Sequence, residues 1–82
     1  MSKKDIIFTV QTGRGQKSYT FPQETKVAEV VEAVKNDFGY PADASLVLVK
    51  EGIGELEPQR PLVSYKIEDG EILQLSDKGG GV

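Results

Sequence analysis

The residues best suited to chemistry stand last, Gly79-Gly80-Gly81-Val82. Glycine has no Cβ, so such a run is conformationally free and its carbonyls are unshielded by side chains. The same run is also compatible with a plain loose end. Little else offers chemistry. The chain has no Cys, which excludes disulfides, thiolate nucleophiles and Cys-ligated zinc, and no His, the commonest general base and metal ligand. Asp and Glu number 13, but no pair stands in a recognisable site and no metal-ligand cluster is spaced along the chain. Gly13 and Gly15 are not a phosphate loop: such a loop leads from a strand into a helix, and here a second strand follows. No catalytic residue, metal or cofactor is therefore expected, and the chain is not expected to be an enzyme.

Something must hold those residues in place, and 82 residues suffice for one domain. Apolar residues make up 38% and charged residues 28%, a globular balance. The net charge of −3 with scattered Lys and Arg argues against nucleic acid. No apolar run reaches the ~20 residues of a membrane span. No signal peptide follows Met1-Ser2-Lys3-Lys4-Asp5, so a cytoplasmic monomer is the expectation.

The organising element is a helix from Val27 to Gly39. Val27, Val30, Val31, Val34 and Phe38 recur at helical spacing and line one face, with Glu29, Glu32, Lys35 and Asn36 opposite. Valines are poor helix formers, so the helix depends on packing against something else. Thr25 is the expected N-cap and Gly39 the C-terminal glycine, with Pro41 preventing continuation. Ile6, Phe8 and Val10 alternate with Ile7, Thr9 and Gln11, predicting a strand with the first set inward. Thr12-Gly13-Arg14-Gly15 turns the chain into a second strand bearing Tyr19 and Phe21. Leu46 to Val49 is a third strand, apolar on both faces. Glu55 to Glu57 is a very short one, and Glu71 to Leu75 a last one with Leu73 and Leu75 inward. Leu62, Tyr65 and Ile67 suit a loop with one helical turn. Placing the last strand beside and parallel to the first gives a mixed sheet of four to five strands under the helix, an α+β β-grasp arrangement.

These elements together resemble ubiquitin and ubiquitin-like modifiers. The resemblance covers nearly all of residues 6–81. It is carried by the hairpin Ile6 to Phe21, the helix from Val27, and the run Asp37-Phe38-Gly39-Tyr40-Pro41-Ala42-Asp43. The strand Leu46 to Val49, the Leu62-x-x-Tyr65-x-Ile67 segment and the glycine tail complete it. It implies a flexible N-terminus (1–5), a β-grasp domain (6–75) and a flexible conjugation tail (76–82), with the Tyr65 hydroxyl pinning a nearby loop.

The resemblance also implies a mechanism. An E1-like activating enzyme adenylates the terminal glycine carboxylate with ATP. The acyl group passes as a thioester to that enzyme's or an E2-like conjugating enzyme's cysteine, and finally to a target-protein lysine. Gly79, Gly80 and Gly81 form the conjugation tail. A processing and deconjugating peptidase would act at Gly80, Gly81 and Val82, cutting after Gly80 or Gly81. The receptor patch of ubiquitin maps onto Gly13, Leu48 and Ser76, with Leu46 beside Leu48, so Leu46 and Leu48 are the expected partner patch. Three departures suggest a bacterial ubiquitin-like protein with its own partner enzymes. Ser76, Asp77 and Lys78 precede the glycines, the tail is about two residues short, and the Gly52-Ile53-Gly54 loop is about two residues longer. The alternatives are a β-grasp sulfur carrier that forms a C-terminal thiocarboxylate, and a ubiquitin-like interaction module whose tail is idle.

Overall fold

The structure is a computed structural model that describes residues 4–77. Its first hairpin follows from alternation. In β1 (Asp5–Thr12), Ile6, Phe8 and Val10 turn inward, and β2 (Gly15–Pro22) pairs with it antiparallel from Asp5↔Pro22 to Thr12↔Gly15. Two residues remain for the turn, and Gly15 (φ 129°) takes up a backbone conformation that L side chains rarely adopt. Phe8, Tyr19 and Phe21 pack their rings together on the inner face, with centroids 5.9–6.4 Å apart.

α1 (Val27–Phe38) lies over that face. It ends at Gly39 (φ 73°), in the left-handed conformation that favours glycine, where the Gly39 and Tyr40 amides both donate to Lys35 O. Its start differs from expectation. Lys26, not Thr25, is the N-cap, and no side chain caps the helix. The first-turn amides of Val27 and Ala28 instead donate to Arg60 O (2.9 Å) and Pro58 O (3.0 Å). Carbonyls from a distant loop fill the role that a Thr25 hydroxyl would have had.

β3 (Leu46–Lys50), β4 (Gly54–Glu55), a short 3₁₀ turn (Leu62–Tyr65) and β5 (Glu71–Asp77) complete the chain. The five-stranded sheet runs in the order β2-β1-β5-β3-β4, with β5 parallel to β1 and antiparallel to β3. The last strand is thus the middle strand, as the β-grasp arrangement requires. The sheet takes in residues at both ends that the sequence assigned to loose segments. Asp5 pairs with Pro22, while Ser76 and Asp77 pair with Val47 and Leu46. Their side chains are exposed, but main-chain pairing does not depend on side-chain polarity.

The core joins Ile6, Phe8 and Val10 to Val27, Val30 and Val34 above, with Leu48, Leu56, Leu62, Ile67, Leu73 and Leu75 around them. The valine stripe is wider than the core it covers: Val30 and Val34 are fully enclosed, whereas Val31 and Phe38 are half-buried. Lys35, expected on the solvent face, is buried. Its stem is covered and its ammonium donates to Ala42 O at 2.8 Å, which ties down the loop after the helix.

Tyr65 does what the resemblance implied. Its hydroxyl accepts a hydrogen bond from the Glu57 amide at 2.9 Å, fixing the segment that also caps α1. Tyr65→Phe should cost about 1 kcal/mol. It should also speed hydrogen exchange at Glu57 and Ala28; unchanged exchange at both would show that the loop holds itself.

Candidate functional site

Gly79, Gly80, Gly81 and Val82 lie outside the described residues. What the fold provides is their root. β5 carries the chain to Asp77 through the centre of the sheet, with hydrogen-bonded neighbours on both sides and Leu73 and Leu75 buried beneath.

Beside Asp77 lies a cleft lined by Arg14, Tyr40, Pro41, Asp43, Ala44 and Ser45. Arg14 shapes it. Its Nη1 donates to Phe38 O (3.0 Å) and Gly39 O (3.1 Å), and the guanidinium lies 4.3 Å from the Tyr40 ring centroid. A cation at the helix C-terminus satisfies late carbonyls and opposes the dipole. The tip of the first hairpin is thereby fastened to the end of α1.

The expected partner patch is corrected. Leu48 is fully buried in the core and Leu46 is half-buried against it, so the two do not form an exposed apolar patch. With Leu-Val-Leu-Val apolar on both faces, alternation could not say which set turns inward; pairing with β5 and cover from α1 choose the leucines. Val47 and Val49 lie on the opposite face, with Ile7, Ile72, Gln74 and Ser76. Ile7 and Ile72 are both more than half exposed. Gln11, Val49, Glu51, Ile72 and Gln74 line a shallow depression on this face. Sequence reasoning placed Ile7 on the outer phase but drew no site from it. The available signal was an isoleucine on the outward phase of β1, otherwise Thr9 and Gln11.

A polar cluster ties β2 to α1. The Tyr19 hydroxyl donates to Asp37 Oδ2 at 2.7 Å, and Lys17 Nζ pairs with the same oxygen at 3.1 Å. The hydrogen bond from Tyr19, then that from Lys17, holds the Asp37 carboxyl below its ordinary range, while the Tyr19 phenol is pushed upward chiefly by burial. Because the folded-state value of Asp37 is depressed, its contribution is present above the unfolded value of about 3.9 and is lost as pH falls through the folded value. Asp37→Asn should therefore flatten the loss of thermal stability below about pH 4. A variant whose melting temperature follows the wild-type acid limb throughout would show that Asp37 does not contribute.

Lysines differ in availability. Lys35 is buried, and Lys50, mostly covered, pairs with Glu71 at 3.2 Å. Lys4, Lys26 and Lys66 are exposed. Among the described residues, no group of three or more acidic, His or Cys side chains is placed to hold a metal, and no helix is long and apolar enough to cross a membrane.

No protein-family model and no curated protein matches the sequence. Solved structures do. A de novo designed protein based on ubiquitin matches with a TM-score of 0.80 and 26% identity, over 94% of this chain and 93% of the other. A structure described under molecular mimicry of SUMO that promotes DNA repair has a TM-score of 0.81 at 16% identity, over 93% and 95%. The ubiquitin-like domain of an Arabidopsis thaliana protein has a TM-score of 0.79 at 18% identity, over 94% and 81%. The fold is ubiquitin-like, a β-grasp.

Proposed function

We propose that this chain is a ubiquitin-like protein modifier. A peptidase removes Val82 to leave a terminal glycine at Gly80 or Gly81. An ATP-dependent activating enzyme adenylates that carboxylate and takes it as a thioester, and a conjugating enzyme directs it to lysines of target proteins. The chain is the substrate of these steps and supplies no catalytic group. The observation that carries the reading is positional: the central strand of a ubiquitin-like sheet ends at Asp77, and one lysine later come three glycines. Partner enzymes of a bacterial type are part of the proposal, because Ser76, Asp77 and Lys78 stand where ubiquitin has basic and leucine residues.

Docking to those partners is assigned to the outer sheet face carrying Ile7, Ile72 and Val49, in place of Leu46 and Leu48. It includes Ile72 of β5, the strand that leads into the tail.

The test is mass spectrometry of the protein recovered from its native cell after trypsin digestion. Cleavage after Lys78 leaves a remnant beginning at Gly79 on any modified lysine. Glycyl remnants on lysines of other proteins are expected. A terminal thiocarboxylate would identify a sulfur carrier instead, and an unprocessed chain with no remnants would leave an interaction module.

A further inference from the structure

The helix stripe that overhangs the core has a counterpart at the sheet. On α1, Ala28, Val31, Glu32 and Lys35 follow one another at helical spacing, and with Leu46 of β3 and Pro58 they line an open groove. The groove runs along an incompletely covered strand edge. β4 pairs only with Val49 and Lys50, and beyond them the Leu56 amide reaches Leu48 O at 2.8 Å. In an antiparallel ladder, alternate residues direct both main-chain groups to the same side. Leu46 therefore directs its N–H and C=O the same way as Leu48, toward the groove, past the end of β4.

We infer that this groove receives an extended segment of a partner protein, added beside Leu46 as a further strand, with an aliphatic side chain against Val31 and a basic side chain beside Glu32. Strand addition supplies main-chain hydrogen bonds, while alternate side-chain pockets supply selectivity. The aliphatic requirement comes from Ala28, Val31, Leu46 and Pro58. The basic requirement comes from charge. The one cation lining the groove, Lys35, is buried and already donates to Ala42 O, with Glu32 Oε2 at 3.5 Å. The Glu32 side chain is 68% exposed and keeps acceptor capacity. The chain as a whole carries −3, which also favours a basic partner. The site uses no residue of the tail and none of Ile7, Ile72 and Val49.

The test is a titration of the full-length ¹⁵N-labelled chain followed by NMR. The probe is an acetylated, amidated hexapeptide in which valine and isoleucine alternate with arginine; the control carries glutamate in place of arginine. The expected result is saturable shifts confined to the amides of residues 28–35 and 44–47, with a Kd of about 1 mM or tighter, and none with the control. Glu32→Gln should weaken binding by up to about five-fold. Val31→Lys should abolish it. Val31→Thr, which keeps the shape and so the fold, should weaken it in case the lysine variant is unfolded. Shifts centred on β2 or on Ile7 and Ile72, equal shifts with both peptides, or no saturation by about 5 mM would overturn the inference. So would concentration-dependent shifts at Leu46 without peptide, which would identify a second copy as the occupant.

Discussion

Val30→Asp should abolish cooperative folding. Val30 is fully enclosed at the centre of α1, within the cluster that also contains Phe8, Leu48 and Leu73. A carboxylate there has no described cation to pair with and no path to water, so it must be buried charged or be protonated at the expense of folding. Either course, with the lost packing, costs more than about 4 kcal/mol. A domain of this size has about 4–12 kcal/mol of stability in all, at 0.05–0.15 kcal/mol per residue. The far-UV circular dichroism melt should lose its sigmoid and the amide spectrum its dispersion. A cooperative melt close to the wild-type temperature would disprove the account of the core. The same change at Val31 should be far milder, about 1–2 kcal/mol, because that half-buried side chain can turn its carboxylate outward. The contrast between adjacent valines tests the position of the helix over the sheet.

The second large effect concerns function. Gly80→Ala combined with Gly81→Ala should remove covalent attachment to other proteins while leaving the melting curve within about 0.5 kcal/mol of wild type. A methyl group at each position narrows the accessible backbone conformations and, in the proposed activation, crowds both the carboxylate whose oxygen is adenylated and the acyl carbon that a thiolate then attacks. The described core is built from residues between Ile6 and Leu75. Immunoblots of cells expressing the tagged variant in place of the wild type give the readout: a conjugate ladder of wild-type intensity would overturn the modifier reading. A chain truncated after Asp77 separates the remaining cases, because an interaction module keeps its binding and a carboxylate carrier loses its activity.

The candidate site was legible unevenly. The glycine tail rests on composition and position alone, since its residues lie outside the described ones. Of the expected partner patch, Leu48 proved buried in the core and Leu46 half-buried. Leu46 and Leu48 are apolar in a strand, but so are Val47 and Val49, and a strand apolar on both faces gives no phase from its own sequence. The basic side chains divide in the same way. The helical wheel put Lys35 with the charged residues, yet the loop after the helix folds back and places Ala42 O within reach of its ammonium. The role of Arg14 depends on a contact across 24–25 residues, to Phe38 and Gly39.

What the sequence determined by itself is what short-range physics governs. Alternation made the strands, and the valine spacing made the helix. Gly39 ended that helix because a left-handed residue is cheapest without a Cβ. The order of these elements then left the last strand a favourable place between the first and third. What only the tertiary structure decided is everything that depends on which surface meets which. It set the inward phase of β3 and the capping of α1 by Pro58 and Arg60. It took Ser76 and Asp77 into the sheet, and it left Val31 overhanging an open edge. Periodicity states which residues share a face; whether that face is covered depends on partners brought near by the whole chain, and no local pattern encodes it.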